Sequence, residues 1–179
     1  MRKLTTTDIS LRWVQPDVNK RSFELQSGSG DPIATLAWEK LFGTLATAQA
    51  AEGTWSFKRV GFFNNRVTIR TPGSESDLAV FRPGWGYEGT LEFPGRTYMW
   101  KNIKFFGGKW GFFGQDGTEY VSFEYTGGLD SLLKVRGSAN LLPGAPVGRD
   151  MPLLLTLGWY IMVMMADDST SAVVATTVM

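Results

Sequence analysis

Histidine and cysteine are both absent from the 179 residues, which removes the side chains most used for chemistry near neutral pH. Disulfides and thiolate nucleophiles are excluded. So are Cys/His zinc sites and every triad that relies on imidazole. What remains is carboxylate, lysine or tyrosine chemistry, or a hard metal held by oxygen. No such constellation stands out. Glu88 and Glu92 do not argue for an acid–base pair. Gly28-Ser29-Gly30-Asp31 looks like a phosphate loop but lacks the lysine and helix that must follow one. The sequence therefore predicts no catalytic residue, no metal and no cofactor.

Binding chemistry is better represented. If Asn64-Asn65 forms a two-residue hairpin turn, Arg59 sits opposite Arg70 with Arg66 on the same face, while Lys58 points to the other face. Like charges opposed across strands are unfavourable unless an anion such as a phosphate or lipid headgroup offsets them. The alternative is a hydrated wall in which each arginine meets a nearby glutamate. A second cluster is Lys101, Lys104 and Lys109 around Gly107-Gly108, beside Phe106 and Phe113. Basic residues among outward aromatics could mark a tip that touches a membrane or a partner. They could equally mark stacking on single-stranded nucleic acid, or a hairpin that covers its second face. In Arg82-Pro83-Gly84-Trp85-Gly86-Tyr87, Trp85 reads as a plug at the end of the fold, with ligand lining as the other reading. Charge is nearly balanced, at 18 basic and 17 acidic residues, so composition gives no reason to expect nucleic acid.

These residues must be positioned by strands. Glycines, 21 in all, punctuate short aromatic and β-branched runs, the pattern of a barrel or sandwich of hairpins. Twelve strands are predicted: Ile9–Gln15, Arg21–Gln26, Ile33–Glu39, Gly43–Ala48, Thr54–Phe63, Arg66–Thr71, Leu78–Pro83, Tyr87–Phe93, Arg96–Phe106, Lys109–Gly114, Glu119–Tyr125 and Ser131–Ala139. The Asn64-Asn65 turn would pair Phe62 with Val67 and Val60 with Ile69. Gly107-Gly108 would pair Phe105 with Trp110 and Ile103 with Phe112. Asp116-Gly117 turns the chain into a strand where Val121, Phe123 and Tyr125 share a face. A slip in alternation predicts a bulge near Lys101-Asn102 that puts Ile103 and Phe105 inward.

After the strands comes Pro152–Met165, an uncharged run that is apolar on every side. Such a helix must lie in a membrane or inside the protein. Fourteen residues make about 21 Å of helix, short for a bilayer core of about 30 Å. Asp150 suits an N-cap, Pro152 suits the first turn, and Asp167 and Asp168 read as the stop. Burial is the favoured reading. The segments are an N-terminal arm (1–8), a β-barrel (9–140), a buried helix (150–166) and a tail (167–179), all in one domain.

Twelve strands followed by one apolar helix resembles the tubby-like fold, in its scramblase and LURP-one-related branch. The likeness is carried by Ile9–Ala139, by Pro152–Met165, and by glycine-then-aromatic strands such as Gly95-Arg96-Thr97-Tyr98-Met99-Trp100. It implies a closed twelve-stranded antiparallel barrel around the helix. Phe62, Ile69, Phe105, Trp110 and Phe123 would pack on Leu154, Trp159, Ile161 and Met165, with Gly158 allowing a close wall contact. The alternative is a sandwich or half-barrel capped by the helix. For tubby the family implies phosphoinositide binding, and for scramblases membranes, calcium and modified cysteines. This chain has no cysteine, so no calcium or catalytic residue carries over. The expected function is a non-catalytic binding or scaffold module for anionic lipid headgroups or another phosphorylated ligand. One alternative is a peripheral or tail-anchored membrane protein in which Pro152–Val178 engages the bilayer. Another is an enzyme built on carboxylates. MRKLTTTDIS has no apolar stretch behind its basic residues, so a cytoplasmic location is expected. Oligomeric state is not legible.

Overall fold

A computed structural model describes residues 1–61, 65–104, 108–126, 136–143, 145, 148 and 150–177, with side chains along the last helix described as far as Ser169. Twelve strands form a closed antiparallel barrel in which each strand pairs with its neighbours in sequence and β1 closes on β12. They are β1 (Ser10–Val14), β2 (Ser22–Gln26), β3 (Pro32–Trp38), β4 (Leu45–Ala50), β5 (Gly53–Val60) and β6 (Arg66–Arg70). The circuit continues through β7 (Ala79–Pro83), β8 (Gly89–Phe93), β9 (Arg96–Lys104), β10 (Lys109–Phe113), β11 (Glu119–Tyr125) and β12 (Gly137–Leu141). Closure leaves no edge strand among the described residues.

Alternation explains which face each strand buries. In β5 Trp55 and Phe57 point in, in β6 Val67 and Ile69, and in β11 Val121 and Phe123. A barrel of this size needs something to fill it. The filling is α1 (Met151–Thr177). Met151 to Met164 is buried throughout, on every helical face, so the wall surrounds it. Trp159 stacks on Trp13 of β1 at 5.6 Å and meets Phe23 of β2 edge-on at 5.9 Å. Tyr160 stacks on Trp38 of β3 at 5.3 Å. Each such ring pair contributes about 0.5–1.5 kcal/mol beyond its buried area. Two glycines permit the closest approaches. A Cβ at Gly158 would lie 2.3 Å from the Phe123 ring, and one at Gly137 would lie 2.3 Å from the Trp159 ring.

Several expectations are corrected. The helix does not stop at the aspartates but runs on to Thr177, so the segment read as a tail is helical over most of its length. Asp150 precedes the helix, but its carboxylate accepts hydrogen bonds from Arg96 Nε at 2.5 Å, Arg96 Nη2 at 2.7 Å and the Tyr98 hydroxyl at 2.9 Å. It ties the start of the helix to β9. β12 runs two residues past its expected end at Ala139, to Leu141, and its expected start at Ser131 lies outside the described residues. The bulge falls one or two residues late. Lys104 pairs with Lys109 and Asn102 with Trp110, which leaves Ile103 unopposed. Ile103 then covers Gly111 on the outer face instead of pointing inward.

Candidate functional site at the helix exit

The connections β1–β2, β3–β4, β5–β6, β7–β8, β9–β10 and β11–β12 all start and end at one end of the barrel, because the strands alternate in direction. The helix enters at the other end and emerges here. Two arginines, Arg21 just before β2 and Arg59 in β5, hold its exit from walls separated by β3 and β4. Arg21 lies over Trp38 at 4.4 Å and donates to the carbonyls of Leu41 at 3.1 Å and Gly43 at 3.3 Å. Its second nitrogen is bound to Asp167. Arg59 Nη1 donates to both oxygens of Asp168, at 3.0 and 2.8 Å. The Tyr160 hydroxyl donates to Thr44 O at 2.5 Å, and burial pushes its pKa up to about 12. The Tyr125 hydroxyl donates to Met162 O at 2.6 Å, and burial, then the nearby Asp167 charge, raise its pKa as well.

The three arginines read from the sequence do not converge. Arg59 pairs with Val67, Val60 with Arg66 and Ser56 with Arg70. The β5–β6 connection is five residues long, Gly61 to Asn65, so the register is displaced by three from that of a two-residue turn. An odd displacement moves a residue to the opposite face. Arg59 therefore points inward to the helix. Arg66 and Arg70 lie on the outer face with Lys58, at opposite ends of β6. Arg70 is paired with Asp77 at 2.6 Å. Arg66 is exposed and has no ion-pair partner among the described residues. The proposed pairings of Phe62 and Phe105 lie outside the described residues.

Of the second cluster, Lys104 and Lys109 face each other across the β9–β10 hairpin at the helix-exit end. Phe113 does not join them. It is half-buried on the outer wall opposite Met99, with Lys101 Nζ 5.5 Å from its ring. Phe106 lies outside the described residues. Trp85 is not a plug. It is 98% exposed at the tip of the β7–β8 loop, and Phe42 on the β3–β4 loop is 96% exposed. Leu41, Tyr87 and Val18 add further exposed apolar surface at this end. Phe42 was missed by sequence reading. The only signal was a large aromatic in Lys40-Leu41-Phe42-Gly43, a segment short enough to be a turn.

Charge divides along the barrel axis. At the exit end Lys40, Arg66, Lys104, Lys109 and Arg136 carry no ion-pair partner among the described residues, against Glu39 and Glu88. Asp17 is near Lys20, and Asp167 and Asp168 are neutralised by Arg21 and Arg59. The opposite end gathers Asp31, Glu52, Glu75, Asp116 and Glu119, while its Arg2, Arg70 and Arg96 are engaged by carboxylates and Lys3 has no ion pair among the described residues. Near-neutral net charge conceals this separation.

Compared with known proteins, the chain matches no family model, no curated protein and no solved structure. Among the described residues, no three carboxylates come together as ligands for a hard cation. No helix among them is long and apolar enough to cross a membrane.

Proposed function

We propose that the protein is a non-catalytic binding module that docks onto anionic lipid surfaces through its helix-exit rim, and that its architecture is tubby-like. One observation carries the reading: the most exposed aromatics, Trp85 and Phe42, stand at the same end as the unpaired cations. An aromatic held almost wholly in water gains by entering a headgroup region, and each nearby lysine adds about 1 kcal/mol at an anionic surface. The kinship rests on the twelve-strand circuit and the enclosed helix. The surface is not the arginine triad but Arg66, Lys104 and Lys109 with the two aromatic tips.

The test is co-sedimentation with neutral and anionic vesicles across a salt series. Adsorption to anionic vesicles alone, weakening with salt, is expected. Lys104→Gln with Lys109→Gln should lower it roughly thirtyfold, the equivalent of about 2 kcal/mol. Trp85→Ser with Phe42→Ser should remove it. Arg70→Gln, at the far end, should leave it unchanged. Binding that ignores the rim substitutions, or no adsorption at low salt, rejects the reading.

A further inference from the structure

A cavity of about 420 Å³ opens beside the emerging helix on this rim. Its floor is Val67, Phe81, Ile161, Met164 and Met165, and one side is the β7–β8 loop. That volume lies within the roughly 300–1,000 Å³ range of small-molecule sites. Two methionines give the floor an adaptable apolar surface. The charged groups in the lining are Arg59 and Asp168, which bind each other, and Asn65 and the buried Tyr160 complete its polar share.

The loop beside it is strained. Gly86 and Tyr87 are consecutive residues in the left-handed region, at φ 64° and 68°. Among the described residues Tyr87 is the one non-glycine with positive φ, and it lines the cavity. A bulky residue held there is strained, and such strain concentrates at ligand clamps. Arg59 is neutralised by Asp168, so the net positive charge beside the opening comes from Arg66, one residue past Asn65 on the outer face of the same rim, which has no ion-pair partner among the described residues.

We propose that this cavity holds the apolar chain of a single-chain anionic amphiphile, a fatty acid or a lysophospholipid, with its headgroup emerging past Arg59 onto the outer rim that carries Arg66. The chain would lie on Phe81, Ile161 and the methionines, and the clamp would be Tyr87. The inference builds on the surface-docking reading, since the cavity opens on the same rim, and its test separates the two.

Calorimetric titration with straight-chain alkanoates from hexanoate to tetradecanoate, each below its micelle threshold, reads the site. Affinity should rise about fourfold per methylene, the equivalent of roughly 0.8 kcal/mol, and then level off when the cavity is full. Partition onto an open surface would show no plateau. Val67→Phe, which fills the cavity from the wall, should weaken decanoate at least tenfold. Met165→Phe, at the half-buried edge of the helix, does the same from the other side and serves if the first variant does not fold. Neither should change vesicle adsorption. A lysophosphatidate that binds more tightly than the alkanoate of equal chain length assigns the site to a lipid; the reverse assigns it to a free fatty acid. Three results overturn the proposal: no saturable binding at any length, decanoate affinity untouched by both cavity-filling variants, or tighter binding of alkyltrimethylammonium than of alkanoate. Saturable alkanoate binding without vesicle adsorption would reject surface docking and leave the cavity assignment standing.

Discussion

Gly158 reverses the usual sign of a glycine-to-alanine change. In an ordinary helix interior alanine stabilises by about 1 kcal/mol. Here the new methyl would stand 2.3 Å from Phe123 Cζ, on a ring buried between the helix and β11. Overpacking of this kind costs roughly 1–3 kcal/mol. Gly158→Ala should therefore lower the urea midpoint. A raised midpoint would mean that the ring swings aside and that the contact does not limit packing. The same residue scale explains why Arg59 fell on the wrong face in the sequence reading, and why it parted from Arg66 and Arg70, which face outward as expected. Asn64-Asn65 is a good turn signal, but a five-residue connection suits Gly61 to Asn65 equally well. Nothing in the composition of the segment distinguishes the two registers.

The helix exit shows how one element is fixed by its surroundings. Asp167 and Asp168 oppose the macrodipole at the end of an uncharged run and read as a stop signal. Arg21, just ahead of β2, and Arg59, in β5, reach them and neutralise both, and the helix continues to Thr177. The two pairs differ in worth. Arg21 is 12% exposed and stacked on Trp38, so removing its carboxylate strands a largely desolvated cation. Asp167→Asn should cost about 1–3 kcal/mol. Arg59 and Asp168 are each about one-third exposed, and Asp168→Asn should cost under about 1 kcal/mol. Equilibrium unfolding of the two variants checks the order, and a larger loss for Asp168→Asn would overturn it.

At the scale of the molecule, closure couples both ends. Tyr98 sits near the helix start and Tyr160 near its exit, and burial pushes each hydroxyl up to about 12, with the Asp150 hydrogen bond adding to the effect at Tyr98. Both are neutral in the folded protein, while an unfolded tyrosine ionises near 10. A folded pKa above the unfolded one gives stability that is complete below pH ~10 and lost as pH rises toward ~12. Each unit of displacement corresponds to about 1.4 kcal/mol. Urea midpoints measured from pH 8 to 12 should hold steady and then fall steeply above about 10. Tyr160→Phe should flatten part of that fall, and a level profile in the parent protein would reject the assignment.

The sequence by itself determined the strand count, the order of elements and the burial of the apolar run, because period-2 alternation and an uncharged helix are local signals with one stable partner. The strands lie within a few residues of expectation, apart from the start of β12, which lies outside the described residues; in β12 it is Gly137 that makes room for Trp159. The tertiary structure alone decided which end of the barrel each loop occupies, which face Arg59 takes, and that Trp85 stands in water. Those depend on loop length, register parity and strand direction summed around a closed circuit. A one-residue change in any of them moves a side chain to the other face without altering the local pattern that predicted the strand. The separation of charge between the two ends has the same origin, since residues far apart in sequence become neighbours only when alternate hairpins meet at a common rim.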